Sequence, residues 1–349
     1  MIASLQRSNQ LEDPVYVDHM CTDELCFFFR CRTATEQTVV IKNLVIGSFR
    51  NDPRLTATLR RRYADKIAFQ VSQLKRLRPH PAIVRLGICY RLFGPCSVVT
   101  EFHPEGNLFN WLANQTHLTL WSVCKVIQHI CIGMDYLHRN RVFHGNLGFR
   151  DVLFKSAEPN SVAIVLDVSI RASVNKICAS YVYDLDRCPP ELFDSVCQIA
   201  EKWPPTSGRP YRTGREACVV EKLLQPTWER DIWCVGVMAH QLLTGVGPFT
   251  HIQLAERSAF WNCTHTTKLT HPMLSRLSRG IVDLLERLLH TNPLLRATAE
   301  DGAQSTWYND NQTKSDKRNL LSILEHNFMN MEFSVYRDTM CTLNRLRTQ

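Results

Sequence analysis

His144-Gly145-Asn146-Leu147-Gly148-Phe149-Arg150-Asp151-Val152-Leu153 places an imidazole, an amide, a guanidinium and a carboxylate on one short polar stretch that ends in an apolar pair. The order of the polar groups matters. An amide cannot take a proton from a hydroxyl at neutral pH, so Asn146 is not a general base. A carboxylate offers Mg²⁺ an oxygen at least as good as an amide's, with an added negative charge.

The surrounding chain has the composition of a folded, enzyme-sized protein. Its 349 residues are 44% hydrophobic and 21% charged, too apolar for wholesale disorder. The net charge of +8 is moderate and its Lys and Arg are scattered, which describes a solvated basic surface and gives no indication of nucleic-acid binding. Fourteen Cys residues include no C-x-x-C pair, and Cys124, Cys131 and Cys234 sit inside apolar patterns, so reduced buried thiols are expected. The first ten residues have no signal-peptide core, and no run of about 18 apolar residues occurs, so an intracellular, cytoplasmic protein without a membrane span is expected.

Periodicity divides the chain. Cys26-Phe27-Phe28-Phe29 and Val39-Val40-Ile41 are apolar runs between polar breaks within 15–45, which predicts a small antiparallel sheet. Tyr63, Ile67, Val71, Leu74 and Leu77 recur at helical spacing and predict a long helix over about 56–77, with further strand at Ile83–Leu86 and Ser97–Thr100. From Trp121 onward the pattern is helical, over Val123–Leu137, Ile232–Leu243 and Ile281–Leu289. The turn chemistry of His103-Pro104-Glu105-Gly106-Asn107 marks the boundary between the two parts. Residues 194–228, with Trp203-Pro204-Pro205, read as a surface insertion. Beyond 308, Leu320, Leu324, Phe328, Met331 and Val335 form one helical stripe that packs either on this chain or on a partner.

These segments resemble, in order and spacing, the motifs of the protein kinases. The opening stretch matches the catalytic loop H-R-D-L-x-x-x-N, with Asn146 at the catalytic Asp and Asp151 at the metal-binding Asn. Val39-Val40-Ile41-Lys42 resembles the V-A-I-K strand, Asp167-Val168-Ser169 the D-F-G and Pro189-Pro190-Glu191 the A-P-E. Thr100, Glu101 and His103 fall on the gatekeeper and hinge, Asp231-Ile232-Trp233 on the start of the central helix, and Asn292-Pro293-Leu294-Leu295-Arg296 on D-P-x-x-R. The resemblance implies an α+β, bilobal protein-kinase-like fold. It would have a small antiparallel-sheet N-lobe with one long helix (15–102) and a larger helical C-lobe (103–307), with an extension at 1–14 and a helical tail at 308–349. It further implies that Lys42, Arg150 and the metal pair Asp151 and Asp167 face the phosphates and Mg²⁺ of ATP, that Val40 and Leu153 roof and floor the adenine, and that Glu191 pairs with Arg296 in a buried ion pair. His144 is implied to join a hydrophobic column between the lobes. Phe149-Arg150 resembles the tyrosine-kinase branch, and His144-Gly145-Asn146 the pseudokinase domains of Janus kinases.

The departures from the pattern all weaken phosphotransfer. Residues 1–46 contain no Gly, so the phosphate-covering loop at Met20–Leu25 lacks the residue that lets backbone approach phosphate. Gln70 stands where the helix Glu should pair with Lys42, and an amide gives no charge-assisted pair. Gly145 replaces the Arg that grips a phosphorylated activation loop, which leaves Tyr181 and Tyr183 as ordinary loop residues or as phosphosites without the usual reader. A missing base is worth about 10²–10⁴-fold. Lost positioning is worth more, up to about 7–11 kcal/mol. The expectation is a pseudokinase with weak ATP and Mg²⁺ binding that acts on protein partners such as an active kinase or signalling protein; the alternative is a low-rate, unorthodox kinase.

Overall fold

Four strands open the described part of the chain: β1 (Val15–Thr22), β2 (Cys26–Arg32), β3 (Thr38–Leu44) and β4 (Ser97–Glu101). The structure is a computed structural model and describes residues 15–22, 26–44, 69, 71–86, 97–164, 185–195, 225–249, 252, 269–309 and 311–324. Backbone packing separates two units, one ending at Pro104 and the other beginning at Glu105.

In the first unit the strands pair in sequence order, each antiparallel to the next. Side chains alternate across a sheet, so register decides which residues share a face. Ile41 lies opposite Phe29 and Val99, and Cys31 opposite Val39. These five form the apolar face, with Cys31, Ile41 and Val99 buried. The other face carries Phe28, Lys42 and Val98 in one row and Arg30, Val40 and Thr100 in the next.

Of the long helix expected over 56–77, the described residues show only the end. Residues 71–74 are helical, the Lys75 N–H still reaches Val71 O, and then Arg76 and Leu77 close three-residue turns onto Gln73 and Leu74. The helix therefore stops short of Leu77, because Pro79 and Pro81 follow and residues before proline avoid the helical region. The strand expected at Ile83–Leu86 is also shorter than predicted. It reduces to isolated bridge positions at Ile83 and Leu86, the latter paired with Thr100, with the Glu101 N–H donating to Arg85 O at 3.3 Å.

The second unit is helical: α1 (Leu108–Ala113), α2 (Leu120–Arg139), α3 (Trp228–Thr244), α4 (Arg279–Leu288), α5 (Ala299–Ala303), α6 (Asn311–Ser315) and α7 (Leu321–Leu324). A hairpin of β5 (Val152–Phe154) and β6 (Val162–Ile164) follows the catalytic-loop stretch. Periodicity does not reveal α1. It forms because Asn107 and Asn110 cap each other reciprocally, each side-chain oxygen accepting the other's N–H at 3.1 Å. Trp111 then stacks on Phe154 at 4.5 Å. Thr119 caps α2, whose Val123, Ile127, Ile130 and Met134 are buried, and its last turn carries His138 and Arg139, which suit the negative end of a helix.

Helix α3 is the axis of this unit, buried at every residue from Asp231 to Thr244. Cys31, Cys124, Cys131, Cys188 and Cys234 are buried as reduced thiols. The tail, as far as Leu324, packs on this chain: Leu320 and Leu324 are buried, and the Leu320 N–H donates to Leu118 O at 2.8 Å. Phe328, Met331 and Val335, like the middle of the 194–228 segment, lie outside the described residues.

Where α3 meets α4, a Cβ on Gly236 would stand 2.8 Å from both Cγ and Cδ2 of Leu289, itself fully buried. Gly236→Ala should therefore lower stability by about 1–3 kcal/mol through overpacking. Helix propensity alone favours the substitution by about 1 kcal/mol, so a stabilised variant in urea melts would show that the two helices are not in this close contact.

Candidate functional site

The catalytic-loop stretch is held by one buried carboxylate. Asp231, fully buried in the first turn of α3, accepts the backbone N–H of His144 at 2.7 Å and that of Gly145 at 2.6 Å. The His138 Nε2–H from the end of α2 adds a third bond at 3.0 Å. Burial alone raises the Asp231 pKa; the His138 hydrogen bond, electrostatic attraction to the His138 and His144 rings and the Gly145 amide outweigh it and hold the carboxyl below the ordinary carboxylate range.

Two local features let the loop take this path. Gly145 has φ +83°, and a Cβ there would stand 2.7 Å from Pro226, so the absence of the family Arg leaves a residue that fits both the backbone and the space. The ring of Phe149 stacks on Phe109 of α1 at 5.2 Å. His144, Asn146 and Asp151 are buried, whereas Arg150 is exposed. The Asn146 N–H donates to His144 Nδ1 at 3.3 Å, and the Gly148 N–H donates to Asp151 Oδ2 at 2.8 Å. Leu153, half-buried in β5, bridges to Asn107.

Sequence reasoning missed a hydrogen-bond partner of Asn146. Arg187, in the 3₁₀ turn Leu185–Arg187, donates from Nη2 to both the carbonyl oxygen and Oδ1 of Asn146 at 2.9 Å each. No local signal marks this contact, because its two partners are far apart in the chain and Arg187 has no periodic context.

Further along the same segment, Glu191 and Arg296 form a two-pronged ion pair with both contacts at 3.0 Å. The pair is less enclosed than expected. The Arg296 side chain is fully buried, but that of Glu191 is 22% exposed. Arg296 also donates to Glu229 O at 2.7 Å and lies over the Trp233 ring at 5.0 Å, so Glu191 and the first turns of α3 share its charge.

The first unit holds the other predicted residues. Lys42 lies on the face with Val40 and Thr100, its Nζ 5.0 Å from the centre of the Phe28 ring. Arg30, which sequence reasoning also missed, lies directly opposite Val40 on that face. Two bonds of 3.0 and 2.5 Å tie it to Asp18, and its guanidinium lies 5.8 Å from the centre of the Phe102 ring. Glu101 Oε1 accepts the Arg85 N–H at 3.1 Å and lies 3.5 Å from Nε2 of the buried His103. Gln70 and Asp167 lie outside the described residues, as do Val168, Ser169, Tyr181 and Tyr183.

Comparison with known proteins identifies the class. The family described as "Protein tyrosine and serine/threonine kinase" matches residues 34–191, and "Protein kinase domain" matches residues 219–308. The mouse protein "Hormonally up-regulated neu tumor-associated kinase" is 23% identical over 279 residues, which cover 80% of this chain and 34% of that protein. "Serine/threonine-protein kinase ATG1c" of Arabidopsis thaliana is 24% identical over 269 residues, covering 76% of this chain and 32% of that one. This chain thus spans about a third of the length of these relatives. A crystal structure of Rad53 1-466 in complex with AMP-PNP matches with a TM-score of 0.57 at 19% identity, over 85% of this chain and 65% of that one.

The protein has the protein-kinase fold. These relatives do not separate its branch: the first family joins tyrosine and serine/threonine kinases, and ATG1c is named as the latter. The likeness to tyrosine kinases rests on the hinge stretch 101–108 and the catalytic-loop residues, and that to Janus pseudokinases on the loop residues.

Asp231 gives this site a pH signature. Its folded pKa lies below the unfolded value of about 3.9, so its contribution is complete above that value and is lost as pH falls through the folded pKa. Asp231→Asn should cost about 3–5 kcal/mol at neutral pH and clearly less once the wild-type carboxyl is protonated. Urea melts of both proteins at neutral and strongly acid pH check this; an equal cost at both would mean that the carboxylate charge is not what holds the loop.

Proposed function

We propose that this chain is a catalytically impaired member of the kinase fold, a pseudokinase that works by binding protein partners in phosphorylation signalling inside the cell. The observation that carries this reading is the amide of Asn146, buried in the loop position where the family places its proton acceptor. Loss of the base slows phosphotransfer, and the loss of glycine in the covering loop and of the Glu partner for Lys42 removes positioning as well.

The nucleotide face of the first unit favours the same reading. Val40 marks the expected adenine roof, and the residue beside it in register is Arg30, a guanidinium already engaged by Asp18 and Phe102. A charged, tethered side chain on an apolar roof is a poor fit to adenine, because the base would have to displace or bury it. Lys42 and Arg150 retain the charge to meet phosphates, and Asp151, with Asp167, the donors to meet Mg²⁺, so binding of ATP is expected to be weak. No helix among the described residues is long and apolar enough to cross a membrane.

Asp151 supports the second reading, a low-rate kinase of the tyrosine-kinase-like branch, in which its carboxylate carries charge work while Asn146 only orients a hydroxyl. A ligand that binds only the folded state raises its stability by RT ln(1 + [L]/Kd), so thermal shift separates the two. Millimolar ATP with Mg²⁺ should leave the melting temperature nearly unchanged, and purified protein should not phosphorylate itself. A saturable, Mg²⁺-dependent shift, with autophosphorylation abolished by Lys42→Met and Asp167→Ala, would establish the kinase instead.

A further inference from the structure

We propose that Arg187 is a positioning residue that locks position 146 against general-base chemistry, whether that position carries an amide or a carboxylate. This role presupposes the impaired-kinase reading above and extends it from one exchanged side chain to the charge beside it.

The amide is fixed in one sense. A guanidinium has five N–H donors and no acceptor, so the atom that Asn146 turns to Arg187 must be its oxygen. Its NH₂ group then points to the other side, where it can donate but cannot take a proton. The second bond, from the same Nη2 to the Asn146 carbonyl oxygen, ties the guanidinium to the backbone as well as to the side chain.

Arg187 is itself held on two sides. The Arg187 carbonyl accepts from the Cys234 thiol at 3.7 Å, and the Asp186 carbonyl accepts the Trp233 indole N–H at 2.7 Å, both donors lying on α3. Asp186 Oδ2 accepts the Phe249 N–H at 3.1 Å. On its other side the guanidinium lies against Gly148: a Cβ there would stand 2.9 Å from Nη1 and 3.0 Å from Cζ. Gly148 therefore makes the room that Arg187 fills, so the two residues act as one device.

A carboxylate at position 146 would enter this setting with a cation already in hydrogen-bond contact. Position 146 is 3% exposed, so solvent screens the pair little. An opposite charge at that range lowers a carboxyl pKa, and a carboxylate with a low pKa is a weak proton acceptor. The other charged and titratable groups of the loop and of the elements packed on it do not undo this. Asp151 is engaged by the Gly148 N–H, Asp231 by the amides of His144 and Gly145 and by His138, and Asp186 by the Phe249 N–H; the His144 Nδ1 accepts the residue-146 N–H, and Arg150 is exposed.

The test is the titration of a carboxyl introduced by Asn146→Asp, read by ¹³C NMR on the full chain labelled at the Asp carboxyl carbons, where the resonance absent from wild type reports position 146. In N146D its midpoint should fall about one to three pH units below the ordinary Asp value. In N146D/R187Q, which keeps a donor but removes the charge, the midpoint should rise above the ordinary value, as burial without a counter-ion demands. N146D/R187K should keep it low. A midpoint in N146D at or above the ordinary value, or the same midpoint in N146D and N146D/R187Q, overturns the role of Arg187. If N146D/R187Q fails to fold, the N146D midpoint alone decides. Phosphotransfer by the wild-type chain would instead overturn the impaired-kinase reading, and it is measured separately from these titrations.

Discussion

A single carboxylate without solvent, Asp231, joins the start of α3 to the end of α2 and to the backbone of the catalytic loop. Burying a charge is costly unless each of its lone pairs is met. Here two backbone amides and an imidazole meet three of them across both oxygens, and the cost becomes a constraint, since the loop cannot leave without stranding the charge. Everything downstream of Gly145 inherits its position from this contact: Asn146 under Arg187, Asp151 against Gly148, and Phe149 on Phe109.

The second unit thus keeps the skeleton of a kinase while the groups displayed on it have changed. Its structural charges, Asp231 and the Glu191–Arg296 pair, have multiple partners and sit where the family pattern puts them. Its chemical groups do not. Where the pattern has a carboxylate there is an amide, and the guanidinium nearest to it comes from the segment before Glu191. The first unit shows the same division, with an apolar face of Ile41, Cys31 and Val99 and an opposite face where Arg30 stands beside Val40. A fold and the groups displayed on it can vary separately, because burial constrains the first more than the second.

The long helices α2, α3 and α4 were legible because burial imposes a period on sequence, and β2, β3 and β4 because their apolar runs stand between polar breaks. The misreadings fall where another effect outweighs periodicity. Apolar spacing carried the first long helix to Leu77, but Pro79 ends it sooner; Ile83–Leu86 looked like strand, but it forms only isolated bridges, at Ile83 and Leu86. Helix α1 was invisible to periodicity, since reciprocal capping by Asn107 and Asn110 starts it.

By itself the sequence determined the kinase-like order of motifs, the amide at position 146 and the carboxylate at 151, because residue identity and spacing are local properties. Only the tertiary structure decided that Arg187 reaches Asn146, that Gly148 leaves room for it, and that Arg30 shares a face with Lys42. Those relations depend on which distant segments are folded against one another, and a guanidinium on a long side chain carries no periodic mark of the group it will meet.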